Sequence, residues 1–397
     1  MDNILVSREK DQVMTDLLRK INDDLFALKI TNNELASYLG IAKSTVSSIL
    51  SGKTEISFNY LIKIIMKIYK KPYVTLRDDI ISDYLMYAKP ENRREALEYA
   101  AFRREFDSLK VIIDIEKSSN TEINREFAKI YEIVYKHCKD VEEYSPEDFY
   151  DELEECKSHV LSWEMKVLID ILLCQTLYQT KEYKKLFKRI SIAKKNVKEI
   201  KNKFIYNSFL VRIKEVLIVT YMMQNEVRKA RLTCIELMDM CDGNSSFFMQ
   251  KANSYYNMGE SYIFEDYSKA KMFLEKSLSV LSDEMFTGDK DIERKTRRIK
   301  STIIFLKIHH YQDIKEVYSG LDKDGHVYLE LQKGNKEQAE MYLLEIEKEN
   351  GALNEFQTCY MGLARNDKSL IEKSYMMFLQ KKSLFYANLP KLYLGDF

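Results

Sequence analysis

The residues best suited to chemistry fall into two groups, and neither has the make-up of a reaction centre. The first is Lys43-Ser-Thr-Val-Ser-Ser48, followed shortly by Lys53. At helical spacing Val46, Ile49 and Leu50 turn inward, which leaves Lys43, Ser44, Thr45, Ser47 and Ser48 facing out. Short hydroxyls can donate to or accept from base edges, and ammonium groups meet phosphates, in a major groove about 12 Å wide. The second group is scattered over long helices: Arg212, Glu215, Asn253, Tyr256, Glu260 and Asp324. Amide side chains can pair with a peptide's main-chain N–H and C=O groups, and carboxylates can hold a basic side chain. Residue by residue, an ordinary wet helix surface explains this second group equally well. No Gly-rich phosphate loop and no Gly-x-Ser-x-Gly elbow occurs. The five histidines are dispersed, and the neighbours His309 and His310 point to different sides of a helix. No catalytic residue, metal site or cofactor is therefore expected.

The elements that must position the first group are legible. Thr31 can cap a helix and Glu34, three residues on, completes a capping box. Gly40 supplies the left-handed residue at that helix's end, Ile41 fills the turn, and Lys43–Leu50 forms the next helix, stopped by Ser51-Gly52. Leu35, Ala36, Leu39, Ile41, Val46, Ile49 and Leu50 form the inward set of a helix-turn-helix, expected within a domain spanning residues 1–75. A further amphipathic helix is predicted over Ile56–Tyr69. Lys43, Lys53, Lys63, Lys67, Lys70 and Lys71 stand against Glu55 alone, so the segment is locally basic. The chain as a whole is neutral, with 62 Lys and Arg against 62 Asp and Glu, so any nucleic-acid contact must come from a local patch. A second basic stretch, Lys194 to Lys203, is able to touch nucleic acid, although such stretches are more often an exposed helix face or loop.

The second group belongs to a helical array predicted over residues 76–375. Glycine and proline number 11 and 4 in 397 residues, about 4% against the roughly 12% usual in soluble proteins. Such scarcity excludes turn-rich sheet folds, and the fold class is all-α. Tyr221-Met-Met-Gln-Asn-Glu-Val-Arg-Lys-Ala230 and Tyr262-Ile-Phe-Glu-Asp-Tyr-Ser-Lys-Ala270 share a form: helix end, polar turn, then a helix opening on alanine. Leu331 to Ala339 repeats it, and Gln179 to Tyr183 is a weaker copy. The best pair is offset by roughly 41 residues, longer than the roughly 34 of a tetratricopeptide repeat but of the same kind. Met258-Gly259, Tyr262, Ala270 and Phe273 come closest to that consensus. Repeats of this type stack into a superhelix whose first helices line a concave face. Counting from Gly259 and shifting by the repeat selects the second group above, together with Val219, Leu321 and Tyr328. The six cysteines contain no Cys-x-x-Cys pair and lie among apolar neighbours, so buried reduced thiols are expected. The start lacks a secretion signal and no stretch reaches 18 apolar residues, so a cytoplasmic chain with no membrane partner is expected.

The order Glu34-Leu-Ala-x-x-Leu-Gly-Ile-x-x-Ser-Thr-Val-Ser-x-Ile-Leu-x-Gly52 resembles the Cro/repressor-type (XRE-like) DNA-binding domain. The whole chain resembles the arbitrium receptors, the AimR family of Bacillus-group phages. That resemblance rests on Arg94-Glu-Ala-Leu-Glu-Tyr-Ala100, Ser254-Tyr-Tyr-Asn-Met-Gly259, Asn354-Glu355, and Phe385 to Leu389-Pro390-Lys-Leu-Tyr-Leu394. It implies a homodimer built through a C-terminal capping helix, here residues 376–397, with two heads on two operator half-sites in the bacterial host's cytoplasm. It implies a signalling peptide of about six residues that binds the array, with Asn354 and Phe385 in the pocket, and inhibits the receptor. Free receptor would activate a promoter favouring lysis, and peptide would favour lysogeny. Ser383 stands where the family places an acid for the peptide's arginine, so either Glu260 or Asp324 is the anchor or the cognate peptide differs. The alternatives are a chromosomal quorum-sensing regulator activated by its peptide and a solenoid whose head docks proteins rather than DNA.

Overall fold

The structure is a computed structural model that describes residues 2–69, 74–139, 145–282, 290–317 and 320–395. Lys70 and Lys71 lie outside the described residues. Among those described there are 21 α-helices and no strand. None of the helices is long and apolar enough to cross a membrane. The chain divides into two compact units: Met1–Thr180 with Lys184–Ile213 and Gly243–Phe247, and Lys181–Tyr183 with Lys214–Asp242 and Phe248–Phe397. Compactness thus groups the head with the helices that follow it, across the change of pattern at residue 75.

The first unit begins with α1 (Asp2–Ala27), α2 (Asn32–Leu39), α3 (Lys43–Leu50), α4 (Phe58–Ile68) and α5 (Val74–Tyr87). It continues with α6 (Pro90–Arg103), α7 (Phe106–Lys117), α8 (Glu122–Lys139), α9 (Pro146–Lys157), α10 (Trp163–Gln179), α11 (Tyr183–Asn196) and the start of α12 (Lys203–Met223). The predicted capping box is present: Glu34 N–H donates to Thr31 Oγ1 at 3.2 Å and Thr31 N–H to Glu34 Oε2 at 2.7 Å. Gly40 turns the chain with φ 67° and ψ 37°. Leu35, Ala36, Leu39, Val46, Ile49 and Leu50 are buried, while Ile41 is only half-buried. They pack on Leu17, Leu18, Ile21 and Leu25 of α1 and on the apolar face of α4, giving the head a core of its own.

Polar ties then fasten the head to α5 and α6. Tyr84 OH donates to Ile56 O at 2.6 Å, Asn92 Nδ2 to Glu55 Oε1 at 2.7 Å and Phe58 N–H to Asn92 Oδ1 at 3.3 Å. Deeper in the unit, the fully buried Glu98 accepts from Tyr131 OH at 2.7 Å, from Ser208 Oγ, and from Arg212 Nε and Nη2 at 2.9 and 3.2 Å. A buried carboxylate needs such partners, because removing one leaves a charge uncompensated.

The second unit comprises the end of α12, then α13 (Val227–Cys241), α14 (Phe248–Glu260), α15 (Tyr267–Leu281), α16 (Lys290–His309), α17 (Lys323–Gln332), α18 (Lys336–Asn350), α19 (Glu355–Arg365), α20 (Lys368–Gln380) and α21 (Asn388–Leu394). Successive helices pack pairwise, α13 on α14, α14 on α15, α17 on α18 and α19 on α20. The alanines that open the second helices, Ala230, Ala270 and Ala339, are all buried. Left-handed residues make the turns, with Asn225 at φ 58° and Gly334 at φ 85°. A Cβ on Gly259 would lie 2.8 Å from Leu274 Cγ and 3.0 Å from Ala270 O, so only glycine admits α15 at this distance. Gly362 does the same for α20, where a Cβ would lie 2.7 Å from Ile371 Cγ1. Five of the cysteines are buried free thiols and Cys138 is half-buried. Position 376 falls inside α20, and the segment beyond it is a turn over 381–387 followed by the short α21.

Candidate functional site

In the head, α3 presents Lys43, Ser44, Thr45 and Ser47 to solvent, with Ser48 half-exposed and Lys53 on the following loop. Ser48 Oγ is 2.7 Å from Thr54 Oγ1, which ties α3 to that loop, and Asn22 Nδ2 donates to Leu50 O at 2.9 Å. The helix bears hydroxyls and a cation on its outer face and no acid. That outer face can hydrogen-bond base edges and phosphates without first displacing an internal partner of the lysine.

The expected groove residues separate into distinct places. Arg212 lies in the first unit, bidentate on Glu98 and stacked over Phe102 at 5.0 Å, so its guanidinium is engaged in holding helices together. Within the second unit, Asn253 Nδ2 donates to Glu215 Oε1 at 2.7 Å and Lys295 Nζ donates to Asn253 Oδ1. Two turns along α14, Glu260 Oε1 accepts from Tyr256 OH at 2.8 Å and from Tyr386 OH at 2.7 Å. Arg298 Nε donates to Tyr256 OH at 3.3 Å, and Thr302 Oγ1 is 3.3 Å from the same oxygen. Burial, and then the charge of Glu260, hold both phenols above their usual pKa, so they remain protonated donors.

Tyr386 belongs to the turn over 381–387, which is fastened at several points. Leu384 N–H donates to Met223 O at 2.8 Å, Lys382 Nζ to Lys181 O at 3.0 Å, and Asn388 Nδ2 to Asn225 Oδ1 at 3.0 Å. Phe385 is 2% exposed and packs with Met222, Ala230 and Phe264, so it backs the site as core rather than lining it. Asn354 caps α19, where Oδ1 accepts from Gln357 N–H at 2.9 Å, and Gln357 Nε2 in turn donates to Asp324 Oδ1 at 2.9 Å. Through that relay Asn354 fixes an acid instead of facing a ligand with its own carbonyl oxygen.

Asp324 lines a cavity of about 220 Å³. Its walls are Phe305, Tyr328, Phe356 and Tyr360, and its rim carries Asp322 and Asp324 with no cation among the lining residues. Tyr328 is sandwiched between Phe305 and Tyr360, with centroids at 5.5 and 4.7 Å, and accepts or donates at His309 Nδ1 at 2.7 Å. Burial, reinforced by His310, lowers the His309 pKa to about 4, so the ring is neutral at physiological pH. Aromatic faces with two carboxylates suit a cationic side chain, and the volume holds one side chain rather than a whole peptide. Arg298, Tyr386, Asp322, Phe356 and Tyr360 were not legible as site residues in the sequence.

Comparison with known proteins resolves the origin of this combination. Residues 24–67 match a helix-turn-helix family, and residues 78–395 match the AimR transcriptional regulator-like family. The chain belongs to the AimR transcriptional regulator-like family. It is therefore a transcriptional regulator with a helix-turn-helix head and a helical solenoid, and not an enzyme. An uncharacterized protein of Bacillus anthracis is 34% identical over 245 residues, covering 61% of this chain and 88% of that protein. The AimR transcriptional regulator of Bacillus phage phi3T is 24% identical over 346 residues, covering 83% and 84%. A solved structure of phAimR superposes with a TM-score of 0.73 at 19% identity over 96% of each chain. A ligand complex of phAimR gives a TM-score of 0.64 at 21% identity, covering 85% of this chain and 96% of that one. These two share the fold.

Proposed function

We propose that this AimR-family chain is a peptide-responsive, DNA-binding homodimer whose head reads an operator and whose second unit takes a short signalling peptide. The observation that carries the peptide half is the acid-rimmed aromatic cavity at Asp322, Asp324, Phe305, Tyr328, Phe356 and Tyr360. A cationic side chain of the peptide enters there, which answers the serine at 383. Glu215, Asn253, Tyr256 and Glu260, with Arg298, hold the peptide main chain alongside. Lys43, Ser44, Thr45, Ser47, Ser48 and Lys53 contact the operator.

Peptide acts by preferring one arrangement of the dimer over another, and a coupling of about 3 kcal/mol weakens operator binding roughly 150-fold. In an arbitrium-type switch the free protein activates a promoter favouring lysis and peptide opposes it. A second reading, a bacterial regulator outside any phage, is favoured by the 34% identical relative from Bacillus anthracis. The test of the peptide half is a double-mutant cycle. Asp322→Asn with Asp324→Asn should weaken a candidate basic peptide by about 1.5–3 kcal/mol, roughly 10- to 150-fold. The same protein change should leave untouched a peptide whose basic residue is replaced by norleucine. Equal losses for both peptides would place the cation elsewhere.

A further inference from the structure

Outside the sites above, the segment joining α11 to α12 in the first unit is strongly basic. From residue 194 to 203 it reads Lys-Lys-Asn-Val-Lys-Glu-Ile-Lys-Asn-Lys, with Glu199 the single acid. All five lysines are exposed, and among the described residues none makes an ion pair. The backbone that carries them is fixed. Residues Val197–Glu199 form a 3-10 turn, Val197 and Ile200 are buried, and Phe204 stacks near Phe247 with centroids at 6.3 Å. Lys194 and Lys195 end α11, Lys198 sits in the turn, Lys201 follows it and Lys203 opens α12, so five exposed cations stand close together against the one acid Glu199.

Two hydrogen bonds set this segment against the head. Asn202 Nδ2 donates to Glu95 Oε1 at 2.8 Å, and the other oxygen of Glu95 accepts from Asn59 N–H, in the first turn of α4, at 3.1 Å. Glu95 is buried, so the bridge is a fixed spacer rather than a surface contact. One turn further along α4 stands Lys63. Burial, and then the charge of Lys203, hold its pKa below the usual lysine range, which marks two cations close together. At its start α4 adjoins the loop with Lys53 and Thr54, itself bonded to Ser48 of the recognition helix, and Lys89 Nζ lies 3.5 Å from Glu55 of that loop. Lys53 on the loop after α3, Lys63 on α4 and Lys203 at the start of α12 therefore lie on elements tied to one another by these contacts.

We infer that Lys198, Lys201 and Lys203 form a second phosphate-binding surface, outside the helix-turn-helix, that grips the duplex backbone flanking the half-site read by α3. The inference rests on the DNA-binding reading of the head. A polyanion with regular charge spacing is the partner that relieves like charges set close together, and such contacts add affinity without sequence preference. The surface holds each head at a defined angle to the DNA, because the Asn202–Glu95–Asn59 bridge leaves little freedom between them.

The test uses the full-length protein and two duplexes, the region upstream of its own gene and a scrambled duplex of the same composition, titrated across a series of salt concentrations. Lys198→Gln, Lys201→Gln and Lys203→Gln together should lower affinity for both duplexes by the same factor. They should also make the slope of log K against log salt shallower by about 2 to 3, near 0.9 per lost phosphate contact. The ratio of specific to non-specific affinity should not move. Lys315→Gln, Lys368→Gln and Lys373→Gln, exposed lysines of the second unit, remove the same charge and should leave the slope in place. Ethylation interference should map phosphates beyond the half-site in the wild type and lose them in the first triple variant. A slope unchanged by that variant, or changed equally by the control triple, overturns the inference. Absence of any salt-dependent duplex binding by the wild type overturns the DNA-binding reading beneath it.

Discussion

Tyr386→Phe removes one oxygen and leaves the ring, so it isolates a single hydrogen bond that fastens the C-terminal turn to α14. The phenol donates at 2.7 Å to Glu260, a carboxylate only 5% exposed, which also accepts from Tyr256. A hydrogen bond to a charged group in such a place contributes about 1.5–3 kcal/mol. Taking about 2 kcal/mol, opening of the turn becomes about 30-fold more frequent. The reporter is local: Leu384 N–H, two residues away, donates at 2.8 Å to Met223 O and exchanges with solvent only when the turn lifts. Native-state hydrogen exchange should therefore show the Leu384 amide exchanging about 30-fold faster in the variant, with α7 and α8 amides unaffected. In a Glu260→Gln background the further effect of Tyr386→Phe should shrink to about threefold or less, since the charged acceptor is gone. If Tyr386→Phe changes Leu384 exchange by less than about twofold, or equally in both backgrounds, Glu260 does not hold the turn and the reasoning fails.

Three more predictions follow from the same geometry. Gly259→Ala should destabilise the chain by about 1–3 kcal/mol in urea unfolding, although alanine favours helix by about 1 kcal/mol, because the new methyl meets Leu274 and the α15 backbone. Gly362→Ala should behave alike, and a gain in stability for either would show that these helices can move apart freely. His309 stays neutral when folded, with a pKa of about 4 against roughly 6.5 unfolded, so the unfolded state binds the extra proton and stability falls as pH drops from 6.5 towards 4. At pH 5 this amounts to about 2 kcal/mol, and His309→Gln should flatten the pH dependence of unfolding by that amount. Lys43→Ala with Ser44→Ala should abolish operator preference and spare peptide affinity, read by fluorescence anisotropy for each ligand. Loss of both would mean that the two sites are not separable.

What could be read in the sequence was whatever depends on near neighbours. Thr31 and Glu34 form their box, Gly40 makes its turn, and Ala230, Ala270 and Ala339 are buried where the repeat puts them. Phe385 is buried in the core and Asn354 caps α19, placements set by partners far along the chain as well as by near neighbours. Arg212 kept its place on the helix and spent its charge on Glu98, which sits 114 positions away and gives no local sign. Tyr386 meets Glu260 across 126 positions for the same reason. Gly362 has the same packing role but Arg365 and Lys373 stand at the offsets where Tyr262 and Ala270 mark Gly259, so the repeat pattern does not reveal it. The acid-rimmed cavity also draws on α16, α17 and α19, and only their stacking brings Phe305, Asp324 and Phe356 together.

If peptide in the second unit controls the head, as proposed, the two ligands must be linked in a single titration. The purified full-length protein is titrated onto duplex DNA from upstream of its own gene, with and without the synthetic peptide encoded by the adjacent short reading frame. Binding should be tight and salt-sensitive, weakened about 150-fold by peptide, and no longer weakened once Asp322 and Asp324 are both asparagine. Operator affinity that stays the same at saturating peptide, with the peptide shown to be bound, would contradict that linkage.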